Sequence, residues 1–442
     1  MGTAILLIAF VIEAAFVTYC IVTKSDQPKV RSIIRVGAFG AFVVFTLVAV
    51  IQWSFRWYAL AALLLIWAGL GAWTLMRRQT EQKPYRAGPG LVRAVAMLLL
   101  VAVAVTPALI FPQYKLPPQT GQYAVTTVKY TYTDASRTET AAHGGASRKV
   151  NVEFWYPQGV NGKYPLVVFD HGWLGMKTSN TSTFVDLASN GYVVCSIDHP
   201  YQSLFTSGSD GRVVIGDAAF LQEIVDINNG KYDEATSFKL QQDALKLRVT
   251  DINFVLDTVI ADARAAGTDT VYQLIDAGKI GLIGHSLGGA ASAQVARERS
   301  DIGAVVNLDA DLFGEYVDYA SGKYVMNSTL YPAPILTILA DDLVRLLAAI
   351  PDANTAVAVQ HVTATAPHAY EIHLAGTDHM SLTDLPLASP LLVSLIGSSV
   401  PKASGGETAD KYSVIVKMNK LVLLFFNAYL KGQGSFSAAG TD

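Results

Sequence analysis

Four apolar runs of about twenty residues each, at 3–23, 33–53, 57–76 and 91–111, constrain this chain more than any other feature. A helix needs about 20 such residues to cross ~30 Å of hydrocarbon. Helices of a soluble core are rarely this long and apolar on every face, so four membrane spans are expected instead. The first run does not read as a cleaved signal peptide. Met1-Gly2-Thr3 ahead of it carries no positive charge, and no small-x-small site precedes a soluble stretch. Composition agrees: 51% of residues are hydrophobic and 16% charged, against roughly 25% charged in an ordinary soluble chain.

The connecting loops orient the spans. Lys24, Lys29, Arg31 and Arg35 follow or flank the first, and Arg77, Arg78, Lys83, Arg86 and Arg93 follow the third. The loop between the second and third holds Arg56. Positive residues stay cytoplasmic, so the N-terminus and everything after Phe111 are expected outside. Glu13 is the acid within a span, and it reads as a protonated or hydrogen-bonded carboxyl at a helix contact. With Lys+Arg 33 against Asp+Glu 36 and net charge −3, no basic excess suggests a nucleic-acid partner. Cys20 and Cys195 lie in apolar runs and read as packing residues.

Residues 112–121, with three prolines and a glycine, read as a stiff extended linker between a four-helix domain (1–111) and a second domain (122–442). In the second domain, 122–132 and 150–157 alternate with period two and suggest paired antiparallel strands, with His143 in the loop between them. Short buried runs follow at 165–172, 192–200, 279–286, 304–310, 334–342 and 369–379. Helical patterns at 181–190, 234–262 and 288–299 separate most of them. This alternation predicts an α/β domain with a mostly parallel sheet and helices on both faces.

The chemistry centres on Gly284-His285-Ser286-Leu287-Gly288-Gly289. A buried strand enters it and a small-residue helix leaves it, the context of a nucleophile elbow. Ser286 is the expected nucleophile, and the Leu287 N–H at the helix start is one expected oxyanion donor. Asp170-His171-Gly172-Trp173 ends an earlier strand and offers the Trp173 N–H as the second donor. His379 follows the last strand and can reach over the sheet as general base. His373, within that strand, and His361 and His368, before it, compete poorly. His171, His285 and His199 are candidate pocket-lining residues. The acid is open among Asp309, Asp341 and Asp342, all at strand ends. The sequence has no His-Glu-x-x-His, paired cysteines or phosphate loop, so no metal or cofactor is expected.

Taken together, His171-Gly172-Trp173, Gly284 to Gly289, Leu308-Asp309-Ala310 and Asp378-His379 resemble the platelet-activating-factor acetylhydrolases and related bacterial enzymes of the α/β-hydrolase superfamily, over roughly 150–430. The resemblance extends more distantly to dienelactone hydrolases and bacterial polyester hydrolases. It implies Asp309 as the acid and a calcium-independent serine esterase acting on short or oxidised acyl chains. Leu287 stands where the family often has an aromatic, and the membrane segment lies outside the family pattern. The expected protein is thus a membrane-anchored carboxylic-ester hydrolase whose partners are a lipid-like ester and, through four helices, the bilayer. Contrasting readings are a polyester or cutinase-like esterase, an acyltransferase, or a membrane sensor or transport module whose hydrolase-like domain only binds. The leucine-rich 382–400 could form a flap over the site or dip into the membrane. Residues 413–430, interrupted by Lys417 and Lys420, read as the closing helix of the hydrolase.

Overall fold

Apolar runs with few breakers become helices wherever their backbone groups cannot bond water. A computed structural model describes residues 1–78, 81–140, 144–265, 269–348, 357–396 and 409–437. Its first elements are α1 (Gly2–Thr23), α2 (Pro28–Leu47), α3 (Tyr58–Met76) and α4 (Ala87–Ile110). All are long and apolar enough to cross a membrane. The second helix starts and ends earlier than the run 33–53. Pro28 fits the first helical turn, and Ala49, at φ 57°, turns the chain after it. The basic loops meet at one end of this bundle: Asp26 N–H donates to the Lys83 carbonyl (3.0 Å) and Tyr85 N–H to the Lys24 carbonyl (3.1 Å). At another contact, Gln113 accepts from Gln52 N–H (3.0 Å) and donates to the Val50 carbonyl (3.2 Å). Phe42, Trp57, Leu60, Val101 and Val105 fill the interior, while Leu7, Phe10, Leu47, Ile66 and Val103 point outward. Glu13 is buried and forms an ion pair at 3.7 Å with Arg31 on α2, whose guanidinium lies 4.3 Å from the Phe16 ring.

The chain divides into two units, Met1–Lys115 with Leu387–Ile396, and Leu116–Pro386 with Gly397–Asp442. The stretch 387–396, placed by the sequence with the hydrolase, thus groups with the helical unit. There α12 (Leu385–Ala388) ends, α13 (Pro390–Ile396) follows, and Ser389 Oγ donates to the Ile110 carbonyl (2.5 Å). The end of the proline-rich linker is not free: Thr120 N–H and Oγ donate to Asp186 (2.7 and 2.8 Å) and Gly121 N–H to Ser189 Oγ (3.1 Å).

The second unit runs β1 (Val125–Thr138), β2 (Ser147–Pro157), β3 (Tyr164–Asp170), α5 (Thr181–Ser189), β4 (Val193–Asp198), the hairpin β5 (Phe205–Ser207) and β6 (Val213–Ile215), and α6 (Ala218–Asn228). It continues with α7 (Glu234–Arg264), α8 (Thr270–Leu274), β7 (Ile275–His285), α9 (Leu287–Glu298), β8 (Ile302–Leu308), and the hairpin β9 (Tyr316–Ala320) and β10 (Lys323–Met326). Then come β11 (Ile335–Ala340), α10 (Asp341–Ala348), α11 (Ala358–Thr365), β12 (Ala369–Leu374) and, at the end, α14 (Lys411–Lys431). The eight-stranded sheet has the order β1-β2-β4-β3-β7-β8-β11-β12, antiparallel at β1/β2 and β2/β4 and parallel from β4 onward. This is the α/β-hydrolase architecture.

Alternate residues face opposite layers. Leu166 and Val168 pack with α7 and α9, and Val167 and Phe169 with α5 and α14. Cys195 is buried in the first layer. Helix α14 is also apolar enough to span a membrane. It nevertheless buries Ile415, Met418, Val422, Phe425 and Phe426 against the sheet, with Lys420 exposed. Register brings Asp170 opposite Gly284, His285 opposite Leu308, and Leu308 opposite Ile338. The loops after β3, β7, β8 and β11 therefore converge at one edge.

Candidate active site

Ser286 joins β7 to α9 at φ 54° and ψ −128°, a strained conformation for a residue with a Cβ. Its N–H donates to the Leu308 carbonyl (2.9 Å), and its carbonyl accepts from Gly289 N–H (2.8 Å) and Ala290 N–H (3.2 Å). The turn is possible because glycine stands where nothing larger fits. A Cβ on Gly284 would lie 2.1 Å from the Gly288 carbonyl oxygen, and one on Gly288 2.1 Å from that of Asp170. The side chain is thereby lifted off the sheet, and Leu287 N–H, the first of the helix, has no carbonyl one turn earlier to bond.

Asp309 follows β8 in the left-handed region (φ 54°), its N–H bonded to the Ile338 carbonyl (2.8 Å). One carboxylate oxygen accepts from Ala340 N–H (2.7 Å) and the other from His379 Nδ1–H (2.6 Å). Since a carboxylate only accepts, Nδ1 carries a proton, and Nε2 is the nitrogen on the far side of the ring from Asp309. His379 opens a short helical turn capped by Asp378, whose side chain takes the Ser381 N–H (2.9 Å). The His379 ring lies 4.5 Å from that of His285, whose Nε2–H donates to the His379 carbonyl (2.9 Å). Burial, reinforced by the His379 ring, pushes His285 down to about 3. It therefore stays neutral and donates through Nε2 while it joins the base loop to the elbow. Ser286 Oγ and His379 Nε2 are not hydrogen-bonded to each other in this resting arrangement. Such contacts often tighten only with substrate.

The other candidate acids have different partners. Asp341 accepts from His373 Nε2–H (2.7 Å) and Gly376 N–H (3.2 Å), and Asp342 from the His379 backbone N–H (3.3 Å) while pairing with Arg345. They hold the base loop, and Asp309 alone of the three meets the imidazole. Of the pocket-lining candidates, His171 and His199 lie fully buried with both ring nitrogens engaged. They form the floor under the loop, not a wall open to a ligand. His143 falls outside the described residues.

Residues 144–439, well over half of the chain, match the family model described as platelet-activating factor acetylhydrolase, isoform II. The chain belongs to this family. The chain is also 27% identical over 164 residues to the platelet-activating factor acetylhydrolase of Bos taurus, covering 34% of this chain and 36% of that one. The Canis lupus familiaris protein is 28% identical over 163 residues, covering 34% and 35%. The chain thus spans about a third of the length of the curated relatives it matches. Among solved structures, a ferulic acid esterase from Streptomyces cinnamoneus aligns with a TM-score of 0.52 at 20% identity, over 74% of this chain and 97% of that one. That likeness is one of fold.

In this platelet-activating factor acetylhydrolase family member, sequence reasoning missed a buried ionic layer beneath the loop 170–173. Arg248, on α7, donates to Asp170 (2.7 Å), the His171 carbonyl (2.8 Å) and Gln202 (2.7 Å). His199 bridges Asp170 (2.7 Å) and Asp251 (2.8 Å), and Asp251 also receives both Arg148 (2.8 and 2.6 Å) and Arg137 (2.8 Å). Burial alone would raise both carboxyls. The facing cations outweigh it and hold Asp170 and Asp251 below the usual carboxylate range. The available signal was Arg248 and Asp251 interrupting the apolar face Leu245, Val249, Ile252, Val255 of α7. Among the described residues no group of three His, Cys, Asp or Glu could hold a metal ion.

The base loop carries one further acid. Asp384 is fully buried and accepts the Ser182 N–H (2.7 Å) and hydroxyl. Burial outweighs those donors and raises it to about 6. A carboxyl raised on folding stabilises the fold fully below its unfolded value and loses that contribution as pH rises through the folded value, here about 3 kcal/mol between pH ~4 and ~6. Asp384→Asn is therefore expected to gain stability relative to wild type as pH rises. The gain should appear as a Tm difference several degrees larger at pH 7.5 than at pH 5, and a difference independent of pH would contradict it.

Proposed function

We propose that this chain is a membrane-anchored serine ester hydrolase acting through an acyl-enzyme on short-chain or lipid-like esters. The observation that carries the reading is the 2.6 Å bond from His379 to Asp309 beside a serine held at φ 54°. Ser286 Oγ attacks the ester carbonyl as its proton passes to Nε2 of His379, the ring nitrogen not bonded to Asp309. Asp309 balances the imidazolium, and the N–H groups of Trp173 and Leu287 receive the oxyanion. Collapse expels the alcohol, which takes the proton from His379. Water then enters by the reverse route and frees the acid. Support for the substrate class comes from the names of the relatives and from the family. Support for anchoring comes from four spanning-length helices whose outer faces are apolar. The pairing of the two Lys/Arg-rich loops at one end of the bundle supports a cytoplasmic end there and an extracytoplasmic hydrolase.

The test is the full chain in detergent, treated with a fluorophosphonate and assayed on p-nitrophenyl acetate, butyrate and octanoate and on an sn-2-acetyl phosphocholine lipid. Label on Ser286 with turnover falling as the acyl chain lengthens is the expected outcome. A folded protein with neither label nor turnover would favour the binding-module reading.

A further inference from the structure

The oxyanion donor assigned to Trp173 depends on the orientation of one peptide plane. In a trans peptide, the carbonyl of Gly172 and the N–H of Trp173 point in opposite directions. That carbonyl is held from the buried side by three donors: His171 Nδ1–H (2.7 Å), Gly175 N–H (3.1 Å) and Arg248 Nη2–H (3.4 Å). Trp173 N–H donates to no acceptor among the described residues. The loop lies against the elbow, since a Cβ on Gly172 would fall 2.9 Å from Ser286 Cβ. Of the three donors, the His171 ring makes the shortest bond.

The ring is fixed in one tautomer. A carbonyl cannot donate, so Nδ1 carries the proton. Burial, with the Arg248 and His199 charges, keeps the imidazole pKa well below its ordinary value, so the ring is neutral and Nε2 is an acceptor. Ser203 Oγ, 2.8 Å away, accepts the His199 N–H (3.0 Å), and its one hydrogen has two acceptors within reach, this nitrogen and the His199 carbonyl (3.0 Å). The ring is fully buried and has no access to substrate.

We propose that His171 is a positioning residue of the oxyanion site: its Nδ1–H, on a ring braced by Ser203 at Nε2, holds the Gly172 carbonyl so that the Trp173 N–H of the same peptide faces the oxyanion formed on Ser286. The inference rests on the serine hydrolase reading above. Asparagine carries an amide N–H near the Nδ1 position, whereas glutamine carries it near Nε2. Steady-state hydrolysis of p-nitrophenyl butyrate by the full chain in detergent separates them, together with inhibition by a trifluoromethyl ketone, whose serine adduct bears the oxyanion. For His171→Gln, kcat is expected to fall ~10²–10³-fold with KM within about threefold, and inhibitor affinity to fall in parallel. His171→Asn is expected to stay within about tenfold of wild type. A Gln variant with wild-type kcat, or with raised KM and unchanged kcat, overturns the proposal. If the Gln variant does not fold, Ser203→Ala takes its place: ~10-fold losses in kcat and inhibitor affinity support the proposal, and unchanged inhibition overturns it. Wild type that takes no fluorophosphonate on Ser286 would fail the underlying reading instead, whereas labelled wild type with an unaffected Gln variant would fail only the positioning role.

Discussion

Ser286→Ala is expected to lower kcat for ester hydrolysis by about 10⁴–10⁶-fold while leaving the Tm within a few degrees of wild type. In the proposed mechanism the loss is large because proton removal by His379 and charge support by Asp309 act through the serine oxygen and accomplish nothing without it. Folding survives because the elbow is specified by the backbone. The Ser286 N–H and carbonyl make its bonds, and Gly284 and Gly288 provide the space. Asp309→Asn is expected to cost ~10⁴-fold, since an amide offers the imidazole a donor as readily as an acceptor and unsettles its tautomer. Asp341→Asn is expected to change kcat by less than about tenfold, because its bonds are to His373 and Gly376. Saturating kinetics on p-nitrophenyl butyrate measure all three. Equal losses at Asp309 and Asp341 would defeat the assignment of the acid, and residual turnover by Ser286→Ala above about 1% of wild type would defeat that of the nucleophile.

How much of this was legible in the sequence depended on whether the signal was local. The elbow is written into six consecutive residues, and the strand before it and the helix after it are short-range patterns. The four long apolar helices are equally local, although α2 is shifted because a helix tolerates Lys29 and Arg31 in its first turn. The choice among Asp309, Asp341 and Asp342 was not local. All three end strands, and what separates them is that β8 lies beside β7 in the sheet while Asp309 turns at φ 54° toward His379. The burial of His171 and His199 was equally hidden. A histidine beside a glycine-rich loop looks like a wall of the pocket until the long helix α7 is known to cross beneath it and bring Arg248 and Asp251 to its nitrogens. The stretch 387–396 grouped with the helical unit for a related reason: its leucines suit either environment, and the bond from Ser389 to the end of α4 links positions that the sequence separates widely.

Asp251→Ala is expected to destabilise the fold by about 3–5 kcal/mol, the largest stability effect anticipated in the hydrolase unit. Asp251 is fully buried and accepts from Arg148, Arg137 and His199 at once. Truncating it to a methyl group leaves the Arg148 and Arg137 guanidinium groups and the His199 ring without the carboxylate they share. Glu139 still pairs with Arg148 (2.8 Å) and Asp134 with Arg137 (2.5 Å), so those two cations keep one partner each. His199 keeps Asp170 alone. The surface pair Lys239–Asp243 is as short, at 2.5 Å, but its side chains are 74% and 61% exposed. Water and salt screen it, so Asp243→Ala is expected to leave stability within measurement error. Urea unfolding of both variants in detergent, followed by tryptophan fluorescence, makes the comparison at one pH. The sign of the pH dependence gives a second check. Because Asp251 is held below the usual carboxylate range, its contribution is present above pH ~4 and is lost as pH falls through the depressed folded value, the opposite of Asp384. Wild type and Asp251→Ala should therefore converge in stability toward acid. A gap that stayed constant on acidification would show that the site contributes through packing, not charge.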